Sequence, residues 1–254
     1  MKKILIIPDT QCKPGVPNAH LGWLGKYIVD TRPDIIVHLG DHFDLPSLSS
    51  YDKGTAAIEG KRVVADIEAG REAMRLLEKP IISLQAAQRR YKKPIYNPRK
   101  VFLMGNHEQR LERYVNSNPE LIGMLSYDDF DLKGWETYDY LQIVNIENIL
   151  FSHYFANPMS GRPYTGRAAS LLQRVGKSFV MGHRQELDFA CRELVDGSKQ
   201  LAIVAGAFYQ HDEGYKGYQG NKHWRGVVVL HEAADGWADP MFVSLSYLER
   251  KYGK

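Results

Sequence analysis

Five short segments of this 254-residue chain hold side chains that a merely structural turn does not require. They are Asp9-Thr10-Gln11, Gly40-Asp41-His42-Phe43-Asp44, Gly105-Asn106-His107-Glu108, Ser152-His153 and Gly182-His183-Arg184-Gln185. Asp, Asn and His offer oxygen and imidazole donors, a mixture that suits Mn²⁺, Fe or Zn²⁺ rather than a soft thiolate site. Two such cations roughly 3.5–4 Å apart clamp a phosphate, activate water and stabilise a departing oxygen, and one carboxylate between them can bridge both. The glycines ahead of Asp41, Asn106 and His183 permit the tight turn and close backbone approach that such loops need.

Each segment follows a run of strand character. Residues 3–8 and 35–39 are β-branched runs, and a helix from an Asn18 N-cap to about Asp30 lies between them. Strand, helix, strand in that order predicts a right-handed βαβ unit and a largely parallel sheet. In open α/β sheets a ligand crevice lies beyond the carboxyl ends of the strands, so the five segments can converge on one place. Val63, Ile67, Met74 and Leu77 recur at helical spacing across residues 57–78, and Pro80 is expected to stop that helix. The basic, proline-containing stretch 88–100 reads as a solvated helix end and loop before a strand at 101–104, with a helix opening at 108–115. Residues 141–151 predict a hairpin turning at Glu147-Asn148, and 167–175 a helix. Strands are expected at 178–181, 187–194, 201–205, 227–230 and 242–247. The order favours an α/β sandwich in a single domain over residues 1–254.

At 44% hydrophobic and 25% charged residues the composition is globular, which excludes disorder, collagen and coiled coil. The longest apolar runs, at 4–7, 35–37 and 227–230, are too short to span a bilayer, so no membrane association is expected. Met1-Lys2-Lys3 leads into a strand rather than a signal-peptide core, making the cytoplasm the expected compartment. Cys12 and Cys191 have no metal-type spacing and are expected as free thiols. A net charge of +3 permits a nucleic-acid partner without demanding one.

Taken in order, the segments resemble the calcineurin-like metallophosphoesterase superfamily, whose pattern is D-x-H, GD-x-x-D, GNH-[ED], an isolated His and G-H-x-H, each at a strand end. The resemblance runs from Asp9 to Gln185; GDHFD followed by GNHE is its most specific part, and the surrounding phrases are similar to stand-alone bacterial and phage members. It implies a four-layer α/β/β/α sandwich with two mixed β-sheets, and metal-dependent phosphoester hydrolysis at a dinuclear site. In that pattern Asp41 is the bridging carboxylate, and Asn106, His153 and His183 complete one metal. Asp9 is a ligand of the other metal. His107 assists phosphate binding and protonates the leaving oxygen, with Asp44 and Glu108 as carboxylates that orient histidines. Arg110 falls where the phosphoprotein-phosphatase branch, with its GNHE-x-R, places a phosphate-clamping arginine.

Two positions depart from the pattern. Gln11 stands where the family has the histidine of D-x-H, and Gln185 where it has the second histidine of G-H-x-H. Both fall on the metal of Asp9. A glutamine carbonyl coordinates a hard cation but is a poorer donor than imidazole. That metal is therefore expected to bind more weakly, with Gln11 and Gln185 as ligands. Mn²⁺ is the favoured ion, and Mg²⁺, Ni²⁺, Fe and Zn²⁺ are the alternatives.

The substrate class is less sharply drawn. His42, next to Asp41, is a candidate substrate contact; the plainer reading is that it fills the loop. Residues 208–224 interleave tyrosines and lysines, and Tyr215 and Lys216 are the candidates there for stacking a base and pairing a phosphate; the plainer reading is a long loop with surface tyrosines. With the basic run at 89–100, this stretch favours a phosphodiesterase or nuclease acting on nucleic acid or nucleotides. Arg110 favours a phosphomonoesterase, acting on a phosphoprotein or a small molecule. A third reading is a non-catalytic binding module on the same fold, which a Gln11 or Gln185 side chain turned away from the crevice would support.

Overall fold

The computed structural model describes residues 1–253, apart from the side chain of Tyr215. Its elements run β1 (Lys2–Ile7), α1 (Ala19–Thr31), β2 (Ile35–His38), α2 (Val63–Arg90), β3 (Arg99–Leu103), α3 (Gln109–Ser117), β4 (Glu136–Tyr138), β5 (Val144–Ile146), β6 (Ile149–Ser152), α4 (Ala168–Val175), β7 (Phe179–Met181), β8 (Leu187–Glu193), β9 (Lys199–Ala205), α5 (Gly217–Gly220), β10 (Gly226–Ala234), β11 (Trp237–Ser244) and α6 (Leu245–Tyr252). One sheet has the order β11-β10-β1-β2-β3-β4 and the other β5-β6-β7-β9-β8. Both are mixed: β1, β2, β3 and β4 run parallel while β10 and β11 run antiparallel to their neighbours. In the second sheet β6, β7 and β9 are parallel, flanked by antiparallel β5 and β8.

Why β1 is apolar on both faces follows from the layers. Successive strand side chains point to opposite faces. Ile4 and Ile6 join Val37, Leu103, Phe151 and Ile203 in the core between the sheets. Leu5 and Ile7 face the other way and pack with Leu21, Leu24, Leu77 and Leu248 of α1, α2 and α6. Across the second sheet Phe179, Met181 and Val204 meet Leu171 and Leu172 of α4. The result is helix, sheet, sheet, helix: the four-layer sandwich expected.

Three local expectations change. The long helix passes through Pro80 and ends at Arg90. A proline costs the helix a backbone bond, but Met74, Leu77 and Ile81 keep the buried stripe running through it. Gly25 of α1 packs against this spot, where a Cβ would meet the Leu77 carbonyl at 2.3 Å and the proline ring at 2.9 Å. The last expected strand gives way at Ser244, whose hydroxyl accepts the Tyr247 N–H at 3.3 Å and caps α6. Short β4 carries no pattern of its own and pairs through its backbone with β3. Among the described residues no helix is long and apolar enough to cross a membrane.

Candidate metal centre

The strands end level. Ile7 lies beside His38 and His38 beside Phe102 in the first sheet, and Ser152 beside Met181 in the second. The loops that leave these ends therefore start along one edge of the sandwich and bring the five segments together. Backbone bonds lock them: the Thr10 and Gln11 N–H groups donate to the Asp41 carbonyl at 3.2 and 2.9 Å, and the Phe208 N–H donates to that of Asp9 at 2.8 Å.

Tight packing dictates two glycines. A Cβ on Gly105 would lie 2.2 Å from an Asp41 carboxylate oxygen, and one on Gly182 would lie 2.6 Å from an Asp9 oxygen. Asp41, His183, Gln11 and Gln185 all sit at positive φ, between 42° and 67°. Non-glycine residues rarely adopt that conformation, and it gathers at sites where the surrounding structure imposes it.

One half of the pocket is dense with donors. Ligand atoms of Asp41, His153 and His183 all lie within 4.8 Å of one another. The Asn106 side-chain oxygen is 2.9 Å from His153 Nε2 and 2.8 Å from His183 Nδ1. His153 Nδ1–H donates to the Leu39 carbonyl at 2.8 Å, which turns Nε2 toward Asp41 Oδ2, 3.4 Å away. Such a backbone anchor is what orients a ligating imidazole.

The other half is sparser. Asp9 is fully buried; its Oδ1 accepts the His183 N–H at 3.0 Å while its Oδ2 has no hydrogen-bond partner. Gln11 is fully buried, and Gln185 lines the cleft with its side-chain oxygen accepting the Tyr209 hydroxyl at 2.9 Å.

Electrostatics mark the same spot. Burial, reinforced by the charge of Asp41, raises the Asp9 carboxyl well above the usual carboxylate range. Burial also works to raise Asp41, but His107 and His153 beside it outweigh that and hold it low. For His153 burial favours the neutral ring, yet Asp41 prevails and pushes it up to about 9. His183 is pushed down to about 4 by burial and by His153. Two carboxylates thus share a dry pocket with a buried oxygen lacking a partner, an arrangement a cation relieves. The oxygen and imidazole donors present fit a hard or borderline divalent ion.

His107 stands beside the pocket. Its Nδ1 is 2.6 Å from Asp44 Oδ1, and its Nε2 is 3.7 Å from Asp41 Oδ2 and 3.2 Å from Arg110 Nη2. Arg110 Nη1 donates to the Asp44 carbonyl at 2.8 Å. Burial lowers His107, but Asp41 and Asp44 together raise it above an ordinary histidine.

The structure corrects two of the expected roles and relocates one feature. His42 does not face substrate: it is fully buried, with Nδ1 2.7 Å from the Thr10 hydroxyl and Nε2 2.9 Å from the Gly70 carbonyl. Glu108 orients no histidine. Its two oxygens accept the backbone N–H groups of Asp41, His42, Phe43 and Gly105 at 2.7–2.9 Å, tying the two central loops together. The basic run begins where α2 ends and closes as β3 begins, so Arg89, Arg90, Lys92 and Lys93 are exposed at the amino ends of the parallel strands, opposite the pocket.

A cleft of about 870 Å³ opens over His107 and His183. Arg110, Arg184, Lys61 and Lys216 line it, with Tyr51 at 90% exposure on its wall. The Tyr215 side chain lies outside the described residues. Two contributors escaped sequence reasoning. Lys13 and Glu213 are 200 residues apart and meet at 2.6 Å on the cleft wall; only the nearness of Lys13 to Gln11 hinted at the first, and nothing hinted at the second.

Comparison with known proteins follows the same lines. The gene 54 protein of Mycobacterium phage L5 is 31% identical over 133 residues, 51% of this chain and 45% of that protein. The gene 54 protein of Mycobacterium phage D29 is 39% identical over 67 residues, 26% of each. The matched part of this chain thus spans less than half the length of either relative. Among solved structures, Yfce, a phosphoesterase from E. coli, aligns over 95% of this chain and 100% of its own at 12% identity and a TM-score of 0.40. Residues 2–188 match the family model for calcineurin-like phosphoesterases, and the chain belongs to that family.

Proposed function

We propose that this protein hydrolyses phosphodiesters of nucleic acid or nucleotides with two divalent cations in the pocket, Mn²⁺ foremost. Asn106, His153, His183 and Asp41 would hold one cation, and Asp9, Asp41, Gln11 and Gln185 the other. When bound, the ions supply activated water and neutralise charge on the phosphate oxygens.

The chain's own groups do the rest. Asp44 receives the His107 Nδ1–H and fixes the ring so that Nε2 faces the pocket. With Asp41 and Asp44 favouring the charged ring, His107 holds a proton at Nε2 for the departing oxygen. Arg110 is tethered through Nη1, which leaves Nη2 beside His107 to meet a phosphate oxygen.

The observation that carries the diester reading is the cleft itself. Its volume of about 870 Å³ far exceeds what one phosphate needs, and two stretches outside the donor segments help to wall it. Residues 46–61 bring Tyr51 and Lys61, and residues 213–216 bring Lys216, so a substrate has cationic and aromatic surface away from the scissile phosphorus. The distal basic run plays no part in this. Arg110 supports the second reading, a phosphomonoesterase, because its positive charge beside His107 suits the extra negative charge of a monoester.

Turnover of a bis(aryl) phosphate and its matching monoester by chelator-stripped protein, with Mn²⁺, Mg²⁺, Ni²⁺ and Zn²⁺ added in turn, tests the proposal. Mn²⁺ should restore activity, with the diester ahead in kcat/KM. A monoester preference overturns the substrate assignment. Folded, metal-loaded protein with no turnover points instead to the binding module.

A further inference from the structure

Lys13 leaves the first strand-end loop, two residues beyond Gln11, and its ammonium group lies between two carboxylates from distant parts of the chain. Its Nζ is 3.0 Å from Asp44 Oδ2, and 2.6 and 2.8 Å from the two oxygens of Glu213. Both carboxylates are nearly buried, with side-chain exposures of 8% and 6%. Asp44 is the residue that holds His107. Glu213 in turn heads a closed unit. Asn221 accepts its N–H at 2.8 Å and donates to its carbonyl at 2.9 Å, and His211 Nε2 meets its carboxylate at 2.6 Å. Arg225 fastens the same unit by donating to the Gln210 carbonyl and the Asp212 carboxylate at 2.8 and 2.9 Å. Lys216, on the cleft wall, belongs to this unit.

We propose that Lys13 is a positioning residue: through Glu213 it straps the segment 209–225 to the Asp44–His107 pair and so fixes Lys216 along the path of an extended, multiply phosphorylated substrate. The physical reason is the sign of the charges. With Lys13 in place the two carboxylates attract one cation; without it they face one another at close range in a poorly hydrated place, and the mobile partner is driven off. Asp44 cannot move, because His107 and Arg110 hold it. Glu213 therefore leaves, and Lys216 with it. An unstrapped Lys216 meets a distant phosphate only after paying its own ordering entropy, so the loss falls on KM for long anionic substrates rather than on the chemical step.

The strap rests on the phosphodiester reading for its substrate but not for its existence, and two measurements separate the two. Backbone hydrogen exchange across residues 213–222, which needs no substrate, should speed up in Lys13→Met and in Glu213→Ala and return toward the parent rate in Lys13→Arg. Kinetics compare bis(p-nitrophenyl) phosphate with a dinucleotide carrying a further terminal phosphate. Glu213→Ala should raise KM for the dinucleotide about tenfold while kcat for the small diester stays within about twofold. Lys216→Ala should share the KM effect, and the double variant Glu213→Ala/Lys216→Ala should be no worse than the weaker single one, since a strap whose cargo is gone has nothing left to position. Unchanged exchange in Lys13→Met, or KM losses that add in the double variant, overturns the strap. If the parent prefers monoesters, the substrate reading fails; unchanged exchange in a diester-preferring parent defeats the strap alone.

Discussion

The two halves of the pocket lie along one edge of the sandwich yet differ in how densely donor side chains are gathered in them. On the Asn106 side, His153 is anchored by its Nδ1–H to the Leu39 carbonyl, and the Asn106 side-chain oxygen lies within 2.9 Å of His153 Nε2 and of His183 Nδ1. On the Asp9 side one buried carboxylate oxygen has no hydrogen-bond partner, and amides stand where the family has imidazoles. The side-chain oxygen of Gln185 already accepts the Tyr209 hydroxyl at 2.9 Å. On the proposed two-cation reading, the difference predicts a pre-oriented half that would retain its ion and a half whose ion would be held chiefly by charge.

Asp41 is proposed to serve both cations, so its loss should break the contrast altogether. Asp41→Ala is expected to abolish tight Mn²⁺ binding, seen as loss of bound metal by elemental analysis, and to cut kcat/KM by at least about 10³-fold, as loss of a catalytic metal does. His153→Ala should also lose metal, whereas Gln11→Ala should retain close to one ion per chain. Equal loss in His153→Ala and Gln11→Ala would mean that the halves are equivalent.

His107 sharpens the contrast from outside, because it touches Asp41 and Asp44 without belonging to the donor cluster. His107→Ala should keep its metal and lose about 10²–10⁴-fold in kcat on an ester with a poor leaving group, the range of general acid catalysis. On an activated aryl ester, which departs without a proton, the loss should shrink. Parental turnover of the poor ester would remove His107 as the acid.

The weak half is open to repair. Gln185→His restores an imidazole, and pairing it with Tyr209→Phe removes the hydroxyl that otherwise occupies this corner. The second Mn²⁺ should then bind more tightly, by about tenfold or more if imidazole replaces amide as donor. Two-site calorimetric titration reads this directly. An unchanged second affinity would show that the amide is not what limits that half.

How much of this was legible in the chain depends on the range of the interaction. The run Ile4–Ile7, apolar on both faces, already implied a strand covered on both sides, and the polar residues after it and its counterparts implied a crevice at the strand ends. The departures at Gln11 and Gln185 were visible as letters. Glu108 was misread because its work is on backbone N–H groups, which every residue carries and no sequence pattern marks. His42 was misread because a ring beside a ligand position can turn inward, here to Thr10 and Gly70. The basic run at 89–100 reads as a solvated surface that also favours a nucleic-acid substrate, and topology puts it at the end of the strands opposite the pocket. Lys13 and Glu213 were illegible for a plainer reason: their pairing spans 200 residues and follows from the closed fold alone.

The mildest test of the asymmetry counts protons. His153 in the metal-free protein is pushed up to about 9 by Asp41 despite its burial, and with Nδ1 committed to Leu39 its second proton sits on Nε2, the atom that faces the donor cluster. Because a metal ligand must be unprotonated, filling this half expels that proton. Below about pH 9 the affinity should therefore rise with pH, by about tenfold per unit, and level off once the ring is neutral in the free protein. His183, pushed down to about 4, is already neutral and adds nothing to the slope above that range. Calorimetry at pH 8 in two buffers of different ionisation enthalpy measures the count. Release of close to one proton with the first Mn²⁺ is the expected result; none would mean that the tighter ion does not displace the His153 proton, and the ranking of the two halves would have to be reversed.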